Sequence, residues 1–146
     1  MKLLCNSTVE EATVSTTCSA ISLQTLDQLY RDIIEMRSTT RIKPYISINM
    51  VDKPRFQSLD CLTKEERIFY TEKYKKLFEE IKDDLLEVEH EHCNRLITFL
   101  NPELVPDNQA ELRKDSDVFF EQYTVRRNKH IHLCRMGKNL EKKINC

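Results

Sequence analysis

The sequence predicts an all-α fold: a three-helix arrangement built on a long antiparallel helical hairpin, with a short extended connector. Three observations carry this expectation. Glycine occurs once in 146 residues, at Gly137, and proline four times, whereas β-sandwiches and nucleotide-binding α/β folds use glycine repeatedly in turns and phosphate loops. Apolar residues recur at steps of three and four along most of the chain, the period of one helix face. Thr63-Lys64-Glu65-Glu66 has the form of a capping box, in which the Thr hydroxyl takes the third backbone N–H and Glu66 reaches back.

The composition, 40% hydrophobic and 32% charged, is too apolar for wholesale disorder and too charged for a membrane protein. No stretch approaches the ~20 apolar residues that span a bilayer. The single glycine leaves no place for a P-loop, a dinucleotide fingerprint or a Gly-framed nucleophile elbow. Met1-Lys2-Leu3-Leu4-Cys5 turns at once to Asn6, Ser7, Thr8 and Glu10, too short an apolar run for a signal peptide. The sequon Asn6-Ser7-Thr8 therefore carries no weight. Cys5, Cys18, Cys61, Cys93, Cys134 and Cys146 are widely spaced and read as mainly free thiols of an intracellular protein, cytoplasmic or nuclear.

Residues 1–19, Ser/Thr-rich and without a sustained period, read as a mobile tail, and residues 20–146 as one helical domain. Leu23, Leu26, Tyr30 and Ile33, widened by Leu29 and Ile34, form the stripe of a first helix over about 22–37. Between 39 and 57 the pattern changes: Ile42, Ile46, Ile48 and Met50 alternate with Lys43, Tyr45, Ser47 and Asn49, the period of extended chain. Pro44 and Pro54 remove two backbone donors, so a strand here is short and suited to an edge. With no second strand in view, it reads as a connector pinned by its isoleucines, or else as an edge that pairs with a partner or a second copy.

The second helix is expected to start at Thr63 and run beyond 30 residues, on a stripe of Tyr70, Tyr74, Phe78, Ile81, Leu85, Val88, His92 and Leu96 or Phe99. Asn101-Pro102 stops or bends it. A third helix follows from about Asn108, with Leu112, Phe119, Tyr123, His130, Leu133, Leu140 and Ile144 on its skeleton. The short link between them predicts a hairpin turning at Pro102–Pro106. Charge agrees: residues 63–100 hold seven basic and ten acidic side chains, residues 125–146 seven basic and one acidic. An antiparallel hairpin brings that basic end towards Glu65, Glu66 and Glu72.

The histidines cluster as His90-Glu91-His92-Cys93 and His130-Ile131-His132-Leu133-Cys134. On helices, His90 with Cys93 and His130 with Cys134 have zinc-ligand spacing. In the expected hairpin the two pairs lie roughly 18 Å apart along the axis, whereas zinc ligands sit within ~2.3 Å of the ion. These residues therefore read as ordinary side chains, His92 and Cys93 near the core; a single site within the chain requires a broken third helix, and two sites shared between copies in a dimer are the other arrangement. Cys and His also supply the parts of a nucleophilic dyad, but a helix interior is a poor setting for one. Glu79, Glu80, Asp83, Asp84 and Glu87 read as a solvated face before a cation site.

Two surfaces remain. Phe119, Phe120 and Tyr123 offer more apolar area than one stripe buries, either as core or as a docking face for protein. Arg126, Arg127 and Lys129, continued by Arg135, Lys138, Lys142 and Lys143, are the nucleic-acid candidate, with no motif for reading bases. The sequence thus points to a non-enzymatic scaffold or adaptor that associates with itself or with a larger assembly, without cofactor, membrane anchor or small-molecule substrate. The alternative is nucleic-acid binding through the basic C-terminal helix.

Overall fold

The structure of the protein, a computed structural model, describes residues 11–127. It is mainly helical but not all-α, because two strands pair within the chain. Strand β1 (Glu11–Cys18) leads through a 3₁₀ turn at Ser22–Gln24 into α1 (Leu26–Thr39), and β2 (Lys43–Met50) then pairs parallel to β1, with Glu11 opposite Lys43 and Cys18 opposite Met50. This is a βαβ unit, in which a crossover helix returns the chain to the same end of the sheet. The stretch read as a tail therefore supplies a strand from residue 11, and the connector read as lacking a mate has one. Its alternation was legible: Ile42, Ile46 and Ile48 are buried. On β1 the same alternation puts Ala12, Val14, Thr16 and Cys18 inward and leaves Thr13, Ser15 and Thr17 exposed.

The first helix obeys its predicted stripe, with Leu23, Leu26, Tyr30 and Ile33 all buried. The long second helix does not exist as one rod. Thr63 caps α2 (Lys64–Glu80) with both halves of the expected box: Glu66 N–H donates to Thr63 Oγ1 at 3.2 Å, and Thr63 N–H donates to Glu66 Oε2 at 3.0 Å. The chain then breaks through a 3₁₀ turn at Lys82–Asp84 and restarts as α3 (Glu87–Phe99). The break moves the buried stripe by one residue. Val88 and Phe99 are exposed, Glu89, Cys93 and Leu100 are buried one position on from Val88, His92 and Phe99, and Leu96 is buried as expected.

The hairpin consequently turns at 81–86, not at Pro102–Pro106. Arg67 near the start of α2 donates to Phe99 O at 2.7 Å, and Thr71 Oγ1 donates to Leu100 O at 3.2 Å, so the start of α2 lies beside the end of α3. The last described helix, α4 (Gln109–Arg127), does not run back along α2. It rests its first half on the turns at 55–61: Gln109 Nε2 donates to Cys61 O at 2.8 Å, Leu112 and Ser116 are buried, and Phe119 meets Phe56 at 5.3 Å between ring centroids. Glu66 finds its cation in Arg113 at 2.8 Å, in the second turn of α4, not at the helix's basic end. The chain beyond Arg127 lies outside the described residues.

One core joins these parts. Tyr74 donates its hydroxyl to Leu23 O at 2.5 Å, Tyr30 meets Phe78 edge-on at 5.4 Å, and Cys93 Sγ donates to Tyr30 Oη at 3.4 Å. Burial pushes the Cys18 and Cys93 thiols up to about 11 from their ordinary 9.0 and raises Cys61 in the same direction, so all three stay protonated at neutral pH. An acid whose folded value is raised stabilises the fold below its unfolded value and loses that contribution as pH rises through the folded one. The contribution of these thiols should therefore be intact at pH 7, begin to fall as pH nears 9, and be lower by about 2 kcal/mol for each of Cys18 and Cys93 by pH 11. Guanidinium melts at pH 7, 9 and 10.5 check this, and a Cys18→Ala, Cys93→Ala variant should lose less over the alkaline step. A fall as steep as in the parent chain would show that the two thiols do not carry it.

Candidate protein-interaction surfaces

In an isolated two-stranded sheet both strands present unpaired backbone groups at an edge, a template for further pairing. Here the two edges differ. Along β2, three of the backbone groups facing away from β1 are met by side chains of the helices. Arg37 Nε donates to Pro44 O at 2.7 Å, Ile46 N–H donates to Glu89 Oε1 at 2.7 Å, and Arg95 Nη2 donates to Ile48 O. Three side chains thus do what a third strand would do.

Glu89 anchors this cover. Its side chain is 0% exposed; besides Ile46 N–H it accepts from Arg37 Nη2 and, through Oε2, from Leu86 N–H at 2.9 Å at the first turn of α3. Arg37, 14% exposed, also donates from Nη1 to Asp84 O at 2.7 Å. A buried carboxylate with three donors, one of them a paired guanidinium, avoids the cost of an orphaned charge. The one-residue shift between α2 and α3 is what turns this residue inward.

Along β1 nothing comparable stands. Among the described residues, no backbone group beyond β2 pairs with Thr13 or Ser15, and Thr17 O receives only the Ser22 hydroxyl at 3.3 Å. The outer face of the sheet is polar, with Asn49 Nδ2 donating to Ser15 Oγ at 3.1 Å. Sequence reasoning missed this edge, because Thr13, Ser15 and Thr17 alternate with residues too weakly apolar to mark a strand.

The second surface is the far half of α4. Phe119, Gln122, Tyr123, Arg126 and Arg127 line one shallow groove, so two of the three aromatic candidates share a face with the described basic ones, and Phe120 lies outside it. Spacings of three and four on a helix put them there. Phe119 is the hinge of the group: besides Phe56 it contacts Phe120 edge-on at 5.1 Å and stacks with Tyr123 at 6.3 Å. The Arg127 guanidinium lies over the Tyr123 ring at 4.9 Å, a cation–π arrangement. Arg126 is exposed, as is Val118, and Val125 is 76% exposed. Lys129, Arg135 and Lys138 lie outside the described residues.

The metal candidates do not converge. His90 is exposed whereas Cys93 is buried and bonded to Tyr30, and His130 and Cys134 are outside the described residues. No group of three or more His, Cys, Asp or Glu side chains among the described residues is arranged to hold an ion. In the acidic run, Glu79 pairs with Lys82 at 2.6 Å and Glu80 with Arg31 at 2.9 Å, as a solvated face does. None of the described helices is long and apolar enough to cross a membrane. Compared with protein-family models, curated proteins and solved structures, the chain matches none.

Proposed function

We propose that the protein is a non-enzymatic scaffold or adaptor that associates with protein, and that the far half of α4 is the limb it offers to a larger assembly. The observation that carries this reading is the division of α4. Its first half is seated through Leu112, Ser116 and Gln109, while its second half leaves Val118 and Val125 exposed and Phe120 and Tyr123 half-buried. Val118 and Val125, seven residues apart, share one face of the helix, while Phe119, Tyr123, Arg126 and Arg127 share the grooved one, and aromatic and Arg residues carry most of the energy in binding patches. The free, buried thiols of Cys18, Cys61 and Cys93 suit a reducing compartment, the cytoplasm or nucleus.

The test is affinity purification with mass spectrometry on the full chain and on a Tyr123→Ala, Val125→Asp variant. Both positions lie beyond the seated half of α4, so circular dichroism should not change. Proteins that copurify with the parent chain and are depleted at least about tenfold by the double substitution support the reading, the scale expected when hot-spot residues are lost. The same proteins retained at the same level would overturn it.

Nucleic-acid binding is the second reading, favoured by the Arg127–Tyr123 pair, since arginine beside an aromatic suits stacked bases and phosphate. The described helix itself weighs against it. Across Gln109–Arg127, four basic residues are matched by four acidic ones, and phosphate attraction needs unbalanced positive charge. If it holds, affinity for a labelled oligonucleotide falls steeply with salt and is lost when Arg126, Arg127 and Lys129 become Ala together. Unchanged binding in that triple variant excludes it.

A further inference from the structure

We propose that β1 pairs antiparallel with β1 of a second copy, about a two-fold axis through Ser15, to build a four-stranded sheet whose two outer edges are the covered β2 strands. The first support is the asymmetry of the edges. Glu89, Arg37 and Arg95 close the β2 edge, whereas the outward backbone groups of Thr13 and Ser15 have no partner among the described residues. The second is composition. Exposed edges are ordinarily defended by lysine, proline or a bulge. Lys43 and Pro44 stand on β2, while Ala12–Cys18 has no charge, no proline and four β-branched residues.

The occupant follows from register and closure. An axis at Ser15 sets Ser15 opposite its own copy, Thr13 opposite Thr17 of the second copy, and Val14 opposite Thr16. These are small, uncharged pairs with no like charges opposed, and Thr–Thr neighbours across strands are favourable. Inward-facing Ala12, Val14 and Thr16 are only partly buried in one copy, and the second copy brings the same three residues alongside them. A foreign strand would satisfy one edge and present another. A two-fold pair uses both open edges and leaves only covered ones, so assembly stops at two. A two-stranded sheet is marginal alone, and four strands are within the common range.

The experiment is light scattering coupled to gel filtration on the full chain over a dilution series, with circular dichroism as the check on folding. The parent chain should run at twice its chain mass at high concentration. Thr13→Lys with Thr17→Lys opposes like charges twice across the axis and should weaken the dimer by at least about tenfold. Thr13→Lys with Thr17→Glu opposes unlike charges at the same positions and should restore it. This restoration depends on the register, and a structural defect would not produce it. A parent chain that stays monomeric at every concentration overturns the proposal, as does a dimer equally stable in both double variants. Tyr123 and Val125 play no part in the interface, so their substitution leaves the dimer intact.

Discussion

Glu89→Ala is expected to cost 3–5 kcal/mol of folding stability, the scale for breaking a buried ion pair by removing one partner. The substitution leaves the largely buried Arg37 guanidinium without its carboxylate. It also orphans two amides, Ile46 N–H in β2 and Leu86 N–H at the start of α3. Each unsatisfied buried group adds a desolvation penalty of about 1–3 kcal/mol when it cannot relax to water. Set against total stabilities of roughly 5–15 kcal/mol, this removes a large share of the margin. Glu89→Gln keeps the shape but turns one acceptor into a donor facing donors, so it should recover only part of the loss. Adding Arg37→Met to Glu89→Ala should cost less than the two single effects together, because the second change removes the stranded charge. Guanidinium melts of the parent chain, the three single variants Glu89→Ala, Glu89→Gln and Arg37→Met, and the double variant measure this, and a Glu89→Ala loss under 1 kcal/mol would show the latch to be ornamental.

Arg67→Ala is the second large effect, again about 3–5 kcal/mol. Arg67 is 1% exposed and its guanidinium fastens three carbonyls: Phe99 O at 2.7 Å, Leu59 O at 2.8 Å and Asn101 O at 3.4 Å. Those oxygens belong to the end of α3, the bend after it and the 59–61 turn that seats α4. Asp60 Oδ1 stands 3.8 Å away as the nearest countercharge. Burial lowers the guanidinium from its ordinary value, with Asp60 acting the other way, but it stays charged at any pH the fold survives. Lysine at this position brings one cationic centre where a planar fork is needed to reach carbonyls in different directions, so Arg67→Lys should restore little. Because the 59–61 turn is the platform for α4, trypsin should cut within α4 sooner in Arg67→Ala than in the parent chain. Equal cleavage rates would separate Arg67 from the seating of α4.

Which parts of this structure were legible follows from the range of the interactions that fix them. The first helix and the Thr63–Glu66 cap were readable because their determinants lie within a turn or two of one another. The alternation at 42–50 announced extended chain, but its partner lies 32 positions earlier, Glu11 opposite Lys43, and parallel pairing leaves no local turn signal. The β1 face offers only Ala12, Val14, Thr16 and Cys18, too weakly apolar to stand out from a Ser/Thr-rich tail. The break at 82–86 was hidden because Leu85 and Val88 continue the helical period across it. Period alone then placed Glu89 on the surface, and only Arg37 and the Ile46 amide, its two partners from other segments, explain why it is inside.

The surfaces divide in the same way. Phe119, Tyr123, Arg126 and Arg127 share a groove because helical spacing alone brings them together, so that grouping was available from the sequence. The cover on β2 was not, since Arg37 and Arg95 act through long side chains that reach from other elements. Nor did the His/Cys motifs announce their fate: one turn of helix puts His90 in solvent and Cys93 in the core.

The pairing of β1 with a second copy rests on β2 being closed by Glu89 and its arginines, since this leaves β1 as the open edge of the sheet. Amide hydrogen exchange at Ile46 tests that closure directly. If the carboxylate holds this amide, Ile46 exchanges among the slowest residues of the parent chain and at least about tenfold faster in Glu89→Gln, while the core amide of Leu96 slows or quickens only with global stability. Rapid exchange at Ile46 in the parent chain, or a change no larger than that at Leu96, would contradict it.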